Sequence, residues 1–485
     1  MSLQSLFFVF GFLPLFLLAY YCIKDNLKNL LIVAGSCAFY AFCSRKALVY
    51  LMIIFLMTYV FSLIIDFIQS KKQHNNIIGK SVFGIILSLS LIPLVYFKYK
   101  TFFLSEISSL FNLEITPNSS SDLNSVGGGN ESFPGLSFIT FTIISYLIDC
   151  FTQKIPVQKN PINLASYILM FPKVLMGPIE RYSNYRNFEE HKNINSTDIS
   201  EGFRRFLIGF CKKTVIADNL ASIVALTSNM DSISQYSIST LWVSSICFSL
   251  QIFFDFSGYS DMAIGIAKMM GFRFKENFNY PYIASSITDF WRRWHISLSF
   301  WFRDYVYIPL GGSRKSTTRN ILTLLCVWFL TGLWHGAAYT FIVWGLIFFI
   351  CILFERYILK LDTRENSIKI IWRICTLFIV NLNWVFFQSP SIQVAFLKIK
   401  AMFGFTSSPI WSDLTFRILT ENSLFILLGI LFCFPVARWV NNKIADTKIF
   451  NLYSIVEALL ILVFLIWGIS FQILGVHNPF LYQQF

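Results

Sequence analysis

Apolar residues fall in long blocks separated by short polar or basic segments. The blocks cover 6–23, 30–43, 47–68, 82–97, 133–151, 241–270, 321–354, 370–388, 423–437 and 452–474. A helix needs about 20 mainly apolar residues to cross a bilayer, and most blocks are near that length. Block 30–43 is short for a crossing and is expected to be tilted or interfacial. Block 321–354 is long enough for two legs. The pattern predicts an all-α, polytopic integral membrane protein of roughly 11 transmembrane helices with re-entrant or interfacial helices, built as one domain over 1–485.

Between the blocks, polarity sets the expected sides. Residues 114–132 (EITPNSSSDLNSVGGGNES) hold three acids and no Lys or Arg, and they predict a flexible extracytoplasmic loop. Residues 154–213 hold ten basic and five acidic side chains, and 273–319 hold eight and three, so both are expected on the cytoplasmic side. Within the first, 162–176 is too short to span and runs into FPKVLMGPIERY. Pro172 and Pro178 are expected to break any helix there, leaving a re-entrant element buried in protein or lining a cavity. Glu180 and Arg181 are a candidate ion pair. Asp255 and Asp261 lie six apart, off a common helical face, and are read as structural rather than as a recognition pair.

The run 321–354 has no charged residue, and His335 lies near its middle. As one helix it would measure roughly 50 Å against a hydrocarbon core of about 30 Å. Arg314, Lys315 and Arg319 precede it; Arg356, Lys360 and Arg364 follow it. Two basic flanks predict a hairpin with its tip near Gly332–Gly336. An ionisable group inside such a run is a functional candidate. The alternative is packing: Gly332 and Gly336 form a small-xxx-small pair, and His335 would then only hydrogen-bond a neighbouring helix.

Composition supports the membrane reading. The chain has 485 residues, 55% hydrophobic and 13% charged, where soluble domains average about 25% charged. The net charge of +13 is scattered over loops and forms no nucleic-acid tract. Ten cysteines stand singly with no metal-ligand spacing, so neither a disulfide frame nor a metal site is expected. The apolar N-terminus reads as a retained first helix.

There is no P-loop, dinucleotide glycine fingerprint or G-x-S-x-G elbow. What remains is histidine in aromatic and arginine company over 277–345, the expected catalytic core region. A neutral His takes a proton from a hydroxyl as it attacks an acyl carbon. His295 ends the run WRRWH, forty residues before His335. Arg292 and Arg293 point about 100° apart on a helix. One is placed to meet a phosphate of a coenzyme while the other pairs with an acid such as Asp289. With Trp294, these are the candidate donor-binding residues; the alternative is interfacial anchoring.

These segments resemble the membrane-bound O-acyltransferase family, in its bacterial branch that O-acetylates alginate and peptidoglycan. The resemblance rests on FPKVLMGPIERY (171–182), FFDFSGYSDMAIG (253–265), NFNYPYIASSITDFWRRWHISLSFWFRDYVYIPLGGSR (277–314), FLTGLWHGAAYTFIVWG (329–345) and NPFLYQQF (478–485). It implies a helical fold with a central funnel or tunnel, His335 as the catalytic histidine and His295 as the second motif histidine. It implies an acyl thioester donor, acetyl-CoA above all, used as substrate with no tightly bound cofactor. It further implies an SGNH-hydrolase-type extracytoplasmic partner, a polysaccharide acceptor and a place among the lipids of the bacterial cytoplasmic (inner) membrane. D-alanyl transfer to teichoic acids from an acyl carrier protein is the second reading. A non-catalytic acyl or lipid transporter is the third, although no inverted repeat of the kind common in transporters is visible.

Overall fold

The computed structural model describes residues 1–72, 76–111, 133–190, 194–227, 233, 235–360, 366–444, 447, 449–476 and 478–481. The loop expected at 114–132 lies outside these residues. Every regular element among the described residues is helical, as the block pattern predicts. Seven helices are long and apolar enough to cross a membrane, or eight if Asp413–Glu421 and Ser423–Phe432, bent by 64°, make one span. Two shorter apolar helices, Phe8–Cys22 and Leu136–Phe151, accompany them. That criterion yields fewer spans than the roughly eleven expected from the blocks. One reason is the first hairpin leg, Thr317–His335, whose Thr, Asn and Trp residues dilute its apolar character.

One local expectation needs correction and another holds. Block 30–43 is not short: its helix continues back through polar residues to Asp25, making 19 residues. Lys28 sits 2.7 Å from Asp25, and Asn29 donates to Asn163 at 3.1 Å. As expected, the segment is not one helix: Pro161–Ile168 ends ahead of Pro172. Pro172 lies in the first turn of Phe171–Val174, where no backbone N–H is needed.

Contacts gather the chain into two compact units. The first comprises Met1–Phe206, Ser260–Lys275 and Tyr482–Phe485. Its centre is the segment predicted to be re-entrant. Helix Pro161–Ile168 bends into Phe171–Val174, and residues 164–180 are buried throughout. Irregular backbone at membrane depth survives only when enclosed in this way. Gly135 is required beneath it: a Cβ there would stand 2.2 Å from the Val174 carbonyl oxygen, and its φ is +78°. Glu180 accepts from the Lys275 N–H at 2.6 Å and from Asn184 at 3.1 Å. Asp261 pairs with Arg205 at 2.8 Å.

The second unit comprises Leu207–Tyr259 and Glu276–Leu481, and it holds the hairpin and both candidate histidines. The long helix Ile238–Met269 contributes its first two-thirds here. Asp255 on that helix is structural, as expected from the sequence. Lys213 lies 2.6 Å from Asp255 and 2.7 Å from Asp218, all three fully buried. The chain's NPFL segment closes this cluster. Leu481 N–H donates to Asp255 at 2.9 Å, Asn478 N–H donates to Asp218 at 3.3 Å, and the Phe480 ring lies 4.7 Å from the Lys213 ammonium.

The hairpin forms as predicted, with legs Thr317–His335 and Tyr339–Leu353. Its legs touch through glycine. A Cβ on Gly332 would stand 2.5 Å from the Phe341 carbonyl oxygen, and one on Gly345 would stand 2.6 Å from that of Trp328. The turn lies at 336–338, so His335 is the last residue of the first leg.

Candidate functional site

Helix Ile287–Arg293 carries the basic motif. Ser286 caps it, accepting from the Asp289 N–H at 3.0 Å. Glu355, at the far end of the second hairpin leg, also closes this helix start. Its carboxylate accepts from the Ile287 N–H, from Thr288 N–H at 2.9 Å, from the Thr288 hydroxyl at 2.6 Å and from the Trp372 indole at 2.8 Å. A carboxylate at a helix N-terminus satisfies orphan donors and complements the helix dipole. Glu355 thus ties the motif helix to the hairpin.

The two arginines divide. Arg293 pairs with Asp289 at 2.9 Å, one helical turn away. Burial opposes ionisation of Asp289, but Ser285 N–H and the Arg293 guanidinium hold its carboxyl below the usual range. Arg292 is exposed. Of the two, Arg292 is the one presented outward. Trp294 is fully buried, with its ring 5.5 Å from Phe290 and 5.1 Å from both Phe278 and Trp384. It is a wall of the site rather than an exposed stacking surface.

After Trp294 the chain reverses sharply. His295 has φ +45° and ψ +54°, the left-handed region, before helix Ile296–Phe302 begins. Such a conformation costs of order 1–3 kcal/mol and survives where surroundings enforce it. Here the enforcing segment is 277–279. Asn279 N–H donates to the Arg293 carbonyl at 2.9 Å, and Ile296 N–H donates to the Asn277 carbonyl at 2.9 Å. The Asn277 side-chain oxygen reaches the imidazole Nδ1 of His295 at 3.2 Å and also Ser297. His295 is fully buried, and burial pushes its imidazole down to about 3, so it is neutral near pH 7.

His335 is also buried, 2% exposed, within an aromatic box. Its ring stands edge-on to Trp334 and Trp344, each at 4.8 Å, and to Phe387 at 5.4 Å. Trp334 reaches the other histidine too, at 5.9 Å from His295. A second chain of rings joins them through Phe256, Phe278, Trp294, Trp384 and Trp344. The structure therefore brings together both sequence-predicted histidines and the WRRWH motif. Asn277 and Glu355 were missed as site residues. Asn277 lay unassigned inside the motif region, and Glu355 is the first charged residue after the uncharged run, a signal that was available. No group of three or more His, Cys, Asp or Glu placed to hold a metal occurs among the described residues.

Two buried histidines against one indole, in a multi-pass helical protein, make a candidate site for proton-transfer chemistry. The chain belongs to the MBOAT, membrane-bound O-acyltransferase family, whose model matches residues 99–397. It is 35% identical to the probable alginate O-acetylase AlgI of Azotobacter vinelandii, over 88% of this chain and 83% of that protein. It is 34% identical to the peptidoglycan O-acetyltransferase of Helicobacter pylori, over 82% of this chain and 79% of that protein. Similarity to the teichoic acid D-alanyltransferase of Bacillus subtilis is 32% over 44% of this chain and 56% of that protein. The protein is an O-acyltransferase.

Proposed function

We propose that this enzyme passes an acetyl group from acetyl-CoA, or a similar acyl thioester on the cytoplasmic side, toward hydroxyls of a cell-envelope polysaccharide or exopolysaccharide. Transfer is completed with an SGNH-hydrolase-type partner outside the inner membrane. The observation that carries this reading is the placement of His295 and His335 against one indole, Trp334. An acceptor hydroxyl is a weak nucleophile at neutral pH. A neutral imidazole takes its proton as the oxygen forms the new C–O bond. The C–S bond breaks, and the thiolate leaves and takes up a proton. General-base help of this kind is worth about 10²–10⁴ in rate.

Buried donors support a polar guest. The indole N–H groups of Trp294, Trp344 and Trp384 have no hydrogen-bond acceptor among the described residues. Each such buried group costs about 1–3 kcal/mol unless something meets it, and a thioester or developing oxyanion supplies the acceptor. Arg292, exposed beside the site, suits the phosphates of a coenzyme. An acetyl group is favoured over D-alanine because the alginate and peptidoglycan O-acetylating relatives align over most of the chain, whereas the D-alanyl relative aligns over less than half.

The experiment compares acetate ester on envelope polysaccharide in cells carrying wild type or His335→Ala, with membrane levels of both proteins checked. Loss of ester at equal protein level supports the reading. Unchanged ester makes His335 a packing residue and brings the transporter reading forward. Incorporation of labelled D-alanine in place of acetate would select the second acyl group.

A further inference from the structure

We propose that Asn277 is a positioning residue that fixes His295 in the Nδ1–H tautomer, so that Nε2 is the nitrogen that accepts the proton. This rests on the acyl-transfer reading above.

The argument begins with which end of the Asn277 amide faces the histidine. An amide's oxygen and nitrogen are assigned by their partners. Here the atom at 3.2 Å from the Ser297 backbone nitrogen must be an acceptor, because a backbone N–H only donates. The Ser297 hydroxyl adds a second donor to the same atom at 2.9 Å. Turning the amide over would set an NH₂ group against a buried N–H. The oxygen therefore faces this cluster, and it is the same oxygen that stands 3.2 Å from Nδ1 of His295. A bare imidazole nitrogen 3.2 Å from that oxygen would set one lone pair against another, so the contact is favourable only with Nδ1 as the donor. Nδ1 therefore carries hydrogen. A neutral imidazole has one N–H, so Nε2 holds the lone pair.

The clamp is two-sided. The backbone carbonyl of Asn277 accepts from Ile296 N–H, the residue after His295, at 2.9 Å. Main chain and side chain of one residue thus hold both the left-handed backbone at His295 and its ring. Asn277 and His295 are both fully buried, so water does not compete for these bonds. Around the ring, Phe256 stands edge-on at 4.7 Å and Trp334 at 5.9 Å. Neither aromatic ring offers an acceptor equal to an amide oxygen, and the Asn277 oxygen stands at Nδ1 itself. With the wrong tautomer, the nitrogen aimed at the hydroxyl would present a proton where a lone pair is needed.

The test is made on the full chain in detergent, uniformly labelled with ¹⁵N-histidine, using His295→Gln to assign the His295 signals. Nitrogen NMR separates protonated from unprotonated ring nitrogens. Wild type is expected to show Nδ1 protonated and Nε2 bare near neutral pH. Asn277→Leu, close in size and lacking the acceptor, is expected to lose that single pattern. Asn277→Asp, which still offers an oxygen to Nδ1–H, is expected to keep it. Turnover with labelled acetyl-CoA in membranes follows the same order. Asn277→Leu loses roughly a hundredfold or more in kcat with KM little changed, and Asn277→Asp recovers much of it. A wild-type Nε2–H signal overturns the proposal, as does an unchanged tautomer in Asn277→Leu. Wild-type kcat in Asn277→Leu also overturns it, as does equal loss in the Asp and Leu variants. The tautomer readout needs no turnover. If His295→Gln and His335→Ala both transfer acetate normally, it is the acyl-transfer reading that fails.

Discussion

His295 and His335 lie against the same indole. Trp334 is 5.9 Å from the first imidazole and 4.8 Å from the second, ring centre to ring centre. Forty residues of sequence separate the two, and the fold joins them. Residues that act as one unit give non-additive losses. His295→Ala and His335→Ala are each expected to lower transfer by about 10²-fold or more, and the double variant is expected to be little worse than either. Quantifying polysaccharide acetate ester in the three strains, at matched membrane levels, checks this.

Arg292 and Arg293 are expected to separate into ligand and scaffold. Arg292→Ala should raise KM for acetyl-CoA without lowering the melting temperature, since its side chain is exposed. Arg293→Ala should lower the melting temperature, because Asp289 then loses its ion pair. Kinetics and thermal unfolding on the same preparations distinguish the two.

The Asp289 carboxyl is held below its ordinary value of 3.8. A depressed acid contributes stability that is complete above its unfolded value and is lost as pH falls through its folded one. The gap in melting temperature between wild type and Asp289→Asn should therefore be constant near neutral pH and close only below about pH 4. A gap that closes between pH 6 and 8 would assign it to some other group.

Glu355 is buried and accepts four hydrogen bonds, three of them at the start of the motif helix. Glu355→Ala strands those donors and should cost roughly 2–4 kcal/mol. Glu355→Gln keeps one acceptor and should cost less. Denaturation in detergent, followed by tryptophan fluorescence, gives both values.

Lys213 pairs with two buried carboxylates, Asp218 and Asp255. Lys213→Met leaves both without a counter-charge, and breaking a buried pair in this way costs about 3–5 kcal/mol. The variant is expected to fail to accumulate in membranes. Immunoblotting against wild type tests it, and normal accumulation would show that the triad is dispensable.

Gly332 faces Phe341 with no room for a side chain. Gly332→Leu should force the hairpin legs apart, displacing His335 three residues on, and should reduce both thermal stability and acetate transfer. Gly84, with nothing within 4 Å of its would-be Cβ, is the control and should accept alanine without effect.

The apolar blocks and their basic flanks were enough to read a polytopic helical protein and to place His335 by a hairpin turn. Hydropathy is a local property, and the bilayer converts it directly into helices of set length. The same locality led to a misreading at one edge. Block 30–43 looked short because Lys28 and Asn29 are polar, yet they continue the helix once paired. The paired arginines were legible as candidates, and Asp289 as the acid for one of them; the fold chose Arg293. Which histidine meets which indole, which arginine faces outward, and what Asn277 and Glu355 hold were decided by tertiary structure alone. Those contacts join 277 to 295 and 287 to 355, and no sequence period encodes them. They exist because buried donors and acceptors must find partners, and only the folded chain brings those partners within reach.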